Sequence, residues 1–181
     1  LPNMKEFVTE AIVMNCTHVG EWDITATLFT KEIGRVEARA VGGKKPCSKF
    51  APHLDQLNLV TARLVEKNAI TLTDVLTENR FNKTRKNGGA LQKALKSLAI
   101  MNAVIPAMNQ DQRFWLFLTQ SLEQGKLNPN ETMKILGYDA ANSKCGSCKK
   151  QDVSFFVPDR QIFLCAVCKA KISNCDTLLI Q

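Results

Sequence analysis

Two C-x-x-C pairs, Cys145-Gly146-Ser147-Cys148 and Cys165-Ala166-Val167-Cys168, lie 16 residues apart near the C-terminal end of the chain. That spacing is the pattern of a four-thiolate metal site, because two intervening residues let both sulfurs of a pair point at one ion about 2.3 Å away. Between the pairs, Ser154-Phe155-Phe156-Val157 and Gln161-Ile162-Phe163-Leu164 are β-prone, and Pro158-Asp159-Arg160 has turn chemistry. The segment of about residues 143–175 therefore reads as a zinc ribbon, with one structural Zn²⁺ held by Cys145, Cys148, Cys165 and Cys168. A rubredoxin-like iron site would use the same ligands. Two disulfides or a metal-free loop are the other readings. Four protein ligands leave no position for an activated water, so the metal is expected to be structural and to replace a core that so short a segment cannot supply alone.

The chain has seven cysteines, an odd number, and no secretory signal accompanies them, which argues against a disulfide framework. Cys16, Cys47 and Cys175 have no paired spacing and read as ordinary thiols, and His18 and His53 as ordinary histidines. No stretch approaches the roughly 18 uninterrupted apolar residues of a membrane span, so a soluble, non-exported protein is expected. Met4 reads as the start, with Leu1, Pro2 and Asn3 preceding it.

Charge is unevenly distributed. Residues 1–80 hold ten Lys/Arg and ten Asp/Glu, whereas residues 81–181 hold 14 and seven, which accounts for the whole net charge of +7. The longest acid-free stretch, Arg80 to Gln110, contains Arg80, Lys83, Arg85, Lys86, Lys93 and Lys96. Such an excess suits a polyanionic partner, although it is equally the signature of a solvated basic face.

From Lys5 to Glu78 the sequence reads as several short strands with little helical periodicity. Phe7 to Met14, Asp23 to Thr30 and a third strand containing Val36, Ala38 and Ala40 come first; Leu57–Glu66 and Ala69–Thr77 then form a hairpin around Lys67-Asn68. Five strands in this length is the size of an OB-type barrel. The period of two places Arg35 and Arg39 together on a solvent-facing side. The connection Val41-Gly42-Gly43-Lys44-Lys45-Pro46-Cys47-Ser48-Lys49 reads as a mobile basic loop able to bring its charges onto a phosphate backbone, or else as an ordinary glycine turn. Trp22, between the first two strands, is expected to cap the barrel rather than to stack on a base.

Around Asn87-Gly88-Gly89 the period becomes helical. Leu91, Leu95, Leu98, Met101 and Ile105 make one stripe, ended by Pro106. A second helix runs from about Asp111 to Glu123 with Phe114, Trp115, Phe117, Leu118 and Leu122 as core, and Gly125 as its stop. A third has Asn128 as N-cap, Pro129 at the first helical position, Glu131 closing a capping box and Gly137 at its end. The fold class is thus α+β: an N-terminal five-stranded OB-type barrel over residues 4–80, then a helical domain over 81–181 that carries the C-terminal Cys₄ ribbon.

Barrel, helices and Cys₄ ribbon in that order resemble the bacterial RecO recombination-mediator family. Ala11-Ile12-Val13 leading to Gly20-Glu21-Trp22-Asp23 looks like that family's first strand and acidic turn, and Phe29-Thr30-Lys31-Glu32-Ile33-Gly34-Arg35 like its second hairpin. Gly42-Gly43-Lys44-Lys45-Pro46 with Ser48-Lys49 looks like its glycine-basic loop, and Ile135-Leu136-Gly137-Tyr138 like its approach to the zinc site. Family members usually continue with helices beyond the zinc site, whereas this sequence has 13 residues after Cys168. The resemblance implies a cytoplasmic, nucleoid-associated bacterial protein that binds single- and double-stranded DNA and anneals complementary strands. It also implies that, with a RecR-type partner, the protein helps load a recombinase onto DNA coated by single-strand-binding protein, whose C-terminal peptide is a further expected partner. The residues themselves support sequence-neutral DNA binding by Arg35, Arg39, Lys44, Lys45 and Lys49, extended by Lys83, Arg85 and Lys86.

No phosphate-cradling glycine motif and no nucleophile elbow is present, so the chain is expected not to be an enzyme. The rival reading is a zinc-ribbon protein–protein interaction module with an incidental basic surface. A metal-dependent hydrolase is a distant third, because a closed Cys₄ site has no open position.

Overall fold

The computed structural model describes residues 4–172 and 177–179. Cys175 lies outside the described residues. The first strand, β1, covers Lys5–Val19, about twice the expected length. Its first half pairs antiparallel with β4 (Leu59–Glu66) and its second half with β2 (Asp23–Thr30), so one long strand closes the barrel on both sides. A bulge between Val13 and Asn15 lies just past Ala11 and Ile12, where the two pairings overlap. With β3 (Gly34–Ala40) and β5 (Ile70–Asn79), the order around the closed barrel is β1-β2-β3-β5-β4. This is the expected OB-type architecture.

The apolar run Ala11-Ile12-Val13-Met14 is buried on both faces. Ala11 and Val13 point into the barrel with Leu28, Val36, Ala62 and Leu72, while Ile12 and Met14 lie under the helices. The end of the barrel is filled by Phe50 and Leu54, from the β3–β4 connection. Trp22 therefore does not cap it: the indole is 46% exposed. β1 continues to Val19, leaving only residues 20–22 to turn, and the barrel core takes Phe50 and Leu54 from the β3–β4 connection instead.

Among the described residues, five α-helices follow the barrel. The short α1 (Asn82–Lys86) has no apolar stripe, so periodicity does not announce it; Thr84 Oγ1 donates to the Leu122 carbonyl and holds it in place. The long helix α2 (Gly88–Val104) starts where the pattern changes, with Asn87 Oδ1 accepting from Ala90 N–H at 3.0 Å. Leu98, Met101 and Ile105 face the barrel together with Ala94, but Leu95 is exposed, and Ile100 turns to the opposite side and packs with the ribbon. Helix α3 (Gln112–Gln124) is capped by Asp111 and buries Phe114, Trp115, Leu118 and Leu122, with Phe114 edge-on to Phe29 of the barrel at 5.5 Å. Helix α4 (Pro129–Ile135) has the expected Asn128 cap, whose side chain accepts from Asn130; the Glu131 carboxylate makes no return bond among the described residues.

The barrel and the helices share one core, since Ile12, Met14 and Phe29 cluster with Leu98, Phe114 and Leu118 across residue 80. At Gly34 the fit is closest: its φ is +78°, and a Cβ there would run into the Asn109 carbonyl group.

The C-terminal segment is a three-stranded sheet in the order β7-β6-β8, with β6 at Phe155–Val157, β7 at Ile162–Leu164 and β8 at Leu178–Leu179. The turn between β6 and β7 is a single 3₁₀ turn at Pro158–Arg160. Val153, Phe156, Val157, Phe163 and Leu164 form a small core that also takes Ile100 and Met133 from α2 and α4. The ribbon thus leans on the helices, so a metal here would cross-link an existing apolar cluster rather than replace one, contrary to expectation. Tyr138, just after α4, packs on Phe156 at 4.8 Å and explains why the Ile135–Tyr138 segment precedes the cysteines.

Candidate nucleic-acid interface and metal centre

The rim of the barrel beside Trp22 is assembled by hydrogen bonds between its two loops. Lys44 N–H donates to the Trp22 carbonyl at 2.9 Å, and Gly42 N–H donates to Asp23 Oδ1 at 2.8 Å. The other oxygen of Asp23 receives both Nε and Nη2 of Arg39, at 2.8 and 2.5 Å. The Gly42 amide and then the Arg39 guanidinium hold the Asp23 carboxyl below the usual carboxylate range. Gly43 lies so close to Ile24 that a Cβ would come within 3.0 Å of its side chain, which is why the loop can fold down here. The connection expected to be a mobile tether is a series of hydrogen-bonded turns, with Lys45 N–H donating to Gly42, Ser48 to Lys45 and His53 to Phe50.

Of the eight basic residues singled out in the sequence, the structure brings only some together. Arg39, Lys44 and Lys45 stand on this rim, and among the described residues Lys44 and Lys45 make no ion pair. Lys49 is further along, 3.2 Å from Asp74, whose carboxyl it holds below the usual range. Lys83 and Lys86 are exposed on α1, and among the described residues no contact joins them to the rim. Arg35 and Arg39 do not share a solvent-facing side. The Arg39 side chain is 60% exposed and that of Arg35 only 16%, because α2 lies over it and Asn102 Oδ1 accepts from Nε and Nη2 at 3.3 and 3.2 Å. Arg85, half-buried, is likewise committed to protein acceptors, donating to the carbonyls of Arg80 and Gln56 at 2.7 and 2.5 Å and to Asn58 Oδ1 at 2.9 Å.

Two residues without a functional reading in the sequence organise this region. Asp23 ties β2 to the basic loop, and its place in the Gly20–Asp23 turn, opposite the Gly42-Gly43 pair, is the sequence signal for it. His53 Nδ1 accepts from the Thr77 backbone N–H at 3.1 Å and anchors the β3–β4 connection to β5; nothing in the local sequence marks it.

At the other end of the chain, the sulfurs of Cys145, Cys148, Cys165 and Cys168 all lie within 4.8 Å of one another. Cys145 sits in a tight turn, its N–H donating to the Lys150 carbonyl at 2.8 Å, and Cys165 caps the short helix α5 (Ala166–Ala170), so the second pair spans a helix start. Four sulfurs tetrahedrally placed 2.3 Å from one ion would be about 3.8 Å apart. Cys148 and Cys165 stand at 3.7 Å, so the donor set fits a metal ion. Burial raises the Cys145 pKa, but backbone N–H groups of Cys148, Cys165 and Ser147 outweigh it and bring the thiol to about 6. Hydrogen bonding to the Cys148 and Cys165 sulfurs pushes Cys168 up to about 11. No helix among the described residues is long and apolar enough to cross a membrane.

Comparison with known proteins gives concordant results. A family model described as "Recombination protein O N terminal" matches residues 4–79, which is the barrel. "DNA repair protein RecO" of Thermoanaerobacter sp. is 25% identical over 189 residues, covering 97% of this chain and 76% of that protein. Its namesake from Geobacter metallireducens is 27% identical over 158 residues, covering 80% of this chain and 64% of that one. A third, from Rhodopirellula baltica, is 35% identical over 88 residues, or 49% of this chain and 31% of that protein. The chain thus spans about two thirds to three quarters of the length of the first two relatives. The family's N-terminal domain model lies over the barrel and RecO proteins align along most of the chain's length, so the chain is similar to the RecO family in its barrel and, at lower identity, beyond it.

Proposed function

We propose that this chain is a DNA-binding recombination mediator in DNA repair. It binds single- and double-stranded DNA largely without regard to sequence, anneals complementary strands, and assists recombinase loading with a RecR-type partner and the C-terminal peptide of a single-strand-binding protein. The observation that carries the reading is the barrel rim, where Lys44 and Lys45, exposed and without an ion pair among the described residues, stand beside Arg39 and an exposed Trp22 on an OB-type barrel. In this reading residues 4–80 are the DNA-binding domain and residues 81–181 the helical domain with the ribbon. The lysines of α1 lengthen the track, and the four cysteines hold one structural zinc ion that locks the ribbon onto α2 and α4 and takes no part in chemistry. The protein works as a non-enzymatic mediator in the bacterial cytoplasm, at the nucleoid.

Titrating a fluorescent single-stranded oligonucleotide across a salt series tests this. Binding that weakens steeply with salt, followed by accelerated annealing of complementary strands, is the expected result; no binding at low salt overturns it. The rival reading, a ribbon that docks on protein, draws on the exposed apolar side chains of Ile135 and Val167 on α4 and α5 and on the internal commitment of Arg35 and Arg85. It requires a partner complex that survives high salt.

A further inference from the structure

Trp22 is the most exposed aromatic side chain among the described residues, and it stands at one place on the barrel where the backbone is pinned from both sides. Its own carbonyl accepts from Lys44, and the carboxylate of the next residue, Asp23, holds Gly42 and Arg39. A tryptophan in a turn this well tied loses little conformational freedom on binding. The barrel does not need the ring, because Phe50 and Leu54 fill its end. The same rim carries two exposed lysines without ion pairs among the described residues, Lys44 bonded through its backbone to Trp22 and Lys45 next to it, and Arg39, which is largely solvent-accessible and paired with Asp23.

We propose that Trp22 is a base-stacking platform that gives this barrel a preference for single-stranded over duplex DNA, an inference that rests on the DNA-binding reading above. An aromatic face flanked by cations can stack an unpaired base while the neighbouring phosphates meet Lys44 and Lys45. A duplex has no free base face to offer, because each base is already stacked on its neighbours. The loop between the first and second strands is one of the oligonucleotide-binding loops of OB-type barrels in general, which places the ring where a strand would pass.

The test compares the full chain with Trp22→Ala and Trp22→Phe for binding a labelled oligothymidine and a duplex of equal length, each over a salt series. Trp22→Ala weakens single-strand binding by about 5- to 150-fold, leaves duplex binding within about twofold and leaves the salt slope unchanged; Trp22→Phe restores part of the loss. The intrinsic fluorescence of the unaltered chain is quenched by the single strand, because Trp115 is buried and Trp22 is the accessible indole. Equal single-strand affinity for wild type and Trp22→Ala, with no quenching, overturns the platform while leaving DNA binding intact. An equal loss on both substrates overturns it in favour of a structural role at the rim. A wild-type chain that binds neither substrate refutes the DNA-binding reading itself, and the platform with it.

Discussion

The double substitution Lys44→Gln/Lys45→Gln separates residues that are free to meet phosphate from residues that only look so in the sequence. Each phosphate contact to single-stranded DNA contributes about 0.7 to the slope of log affinity against log salt. Removing two contacts lowers the slope by about 1.4, so between 50 and 200 mM salt the variant loses about sevenfold less affinity than the wild type does. Stability is unaffected, because both side chains are exposed and neither makes an ion pair among the described residues. Arg85→Gln is the counterpart. Its guanidinium bonds the carbonyls of Arg80 and Gln56 and the Asn58 side chain, so its loss costs stability, about 2–4 kcal/mol for three charge-assisted bonds that are partly solvent-exposed, and leaves the slope unchanged. Fluorescence anisotropy over the salt series and urea unfolding measure the two effects. If Arg85→Gln flattens the slope at unchanged stability, or the double lysine variant leaves it intact, the division between free and committed cations is refuted.

Metal analysis of the purified chain should find one zinc per molecule, and chelation should unfold the ribbon while the barrel strands persist, read by circular dichroism and proteolysis; an equally stable metal-free chain contradicts the site. Gly34→Ala should destabilise by at least about 2 kcal/mol in urea unfolding, because it adds positive-φ strain to a clash with the Asn109 carbonyl, and a neutral effect would show that the α2–α3 connection yields there. Burial, reinforced by the charge of Asp55, pushes Cys16 up to about 11, so the fold prefers the thiol: its contribution is complete below the unfolded value of 9.0 and is lost as pH rises toward 11. At pH 8 roughly one Cys16 in a thousand is thiolate, so iodoacetamide should label exposed Cys47 well before it, read by mass spectrometry of the peptides.

Local chemistry makes several elements legible in the sequence alone. The two C-x-x-C pairs bring four sulfurs together, the β6–β7 hairpin falls within a residue of its expected limits, Asn128 caps the helix it announces, and the first two helices start at Asn87 and Asp111, where the pattern changes. These features depend on residues a few positions apart, where spacing, β-propensity and capping hydrogen bonds act directly. The same holds for β3, where the alternation of Val36, Ala38 and Ala40 with charged residues reports one buried face.

The fate of individual charges and rings is decided elsewhere in the chain. Arg35 and Arg39 share a strand face, yet only Arg35 is covered, because Asn102 arrives from a helix 67 residues later. Arg85 reads as one more cation in an acid-free stretch, and becomes a clamp because Gln56 and Asn58 turn back beneath it. Trp22 stays exposed while Phe50 and Leu54 enter the barrel core from another loop, and Leu95 is exposed because α2 presents Ala94 and Leu98 to the barrel and Ile100 to the ribbon. Periodicity states that a face is apolar or charged, but which face is covered depends on long-range packing, since burial and ion pairing are properties of the neighbours that tertiary structure brings together.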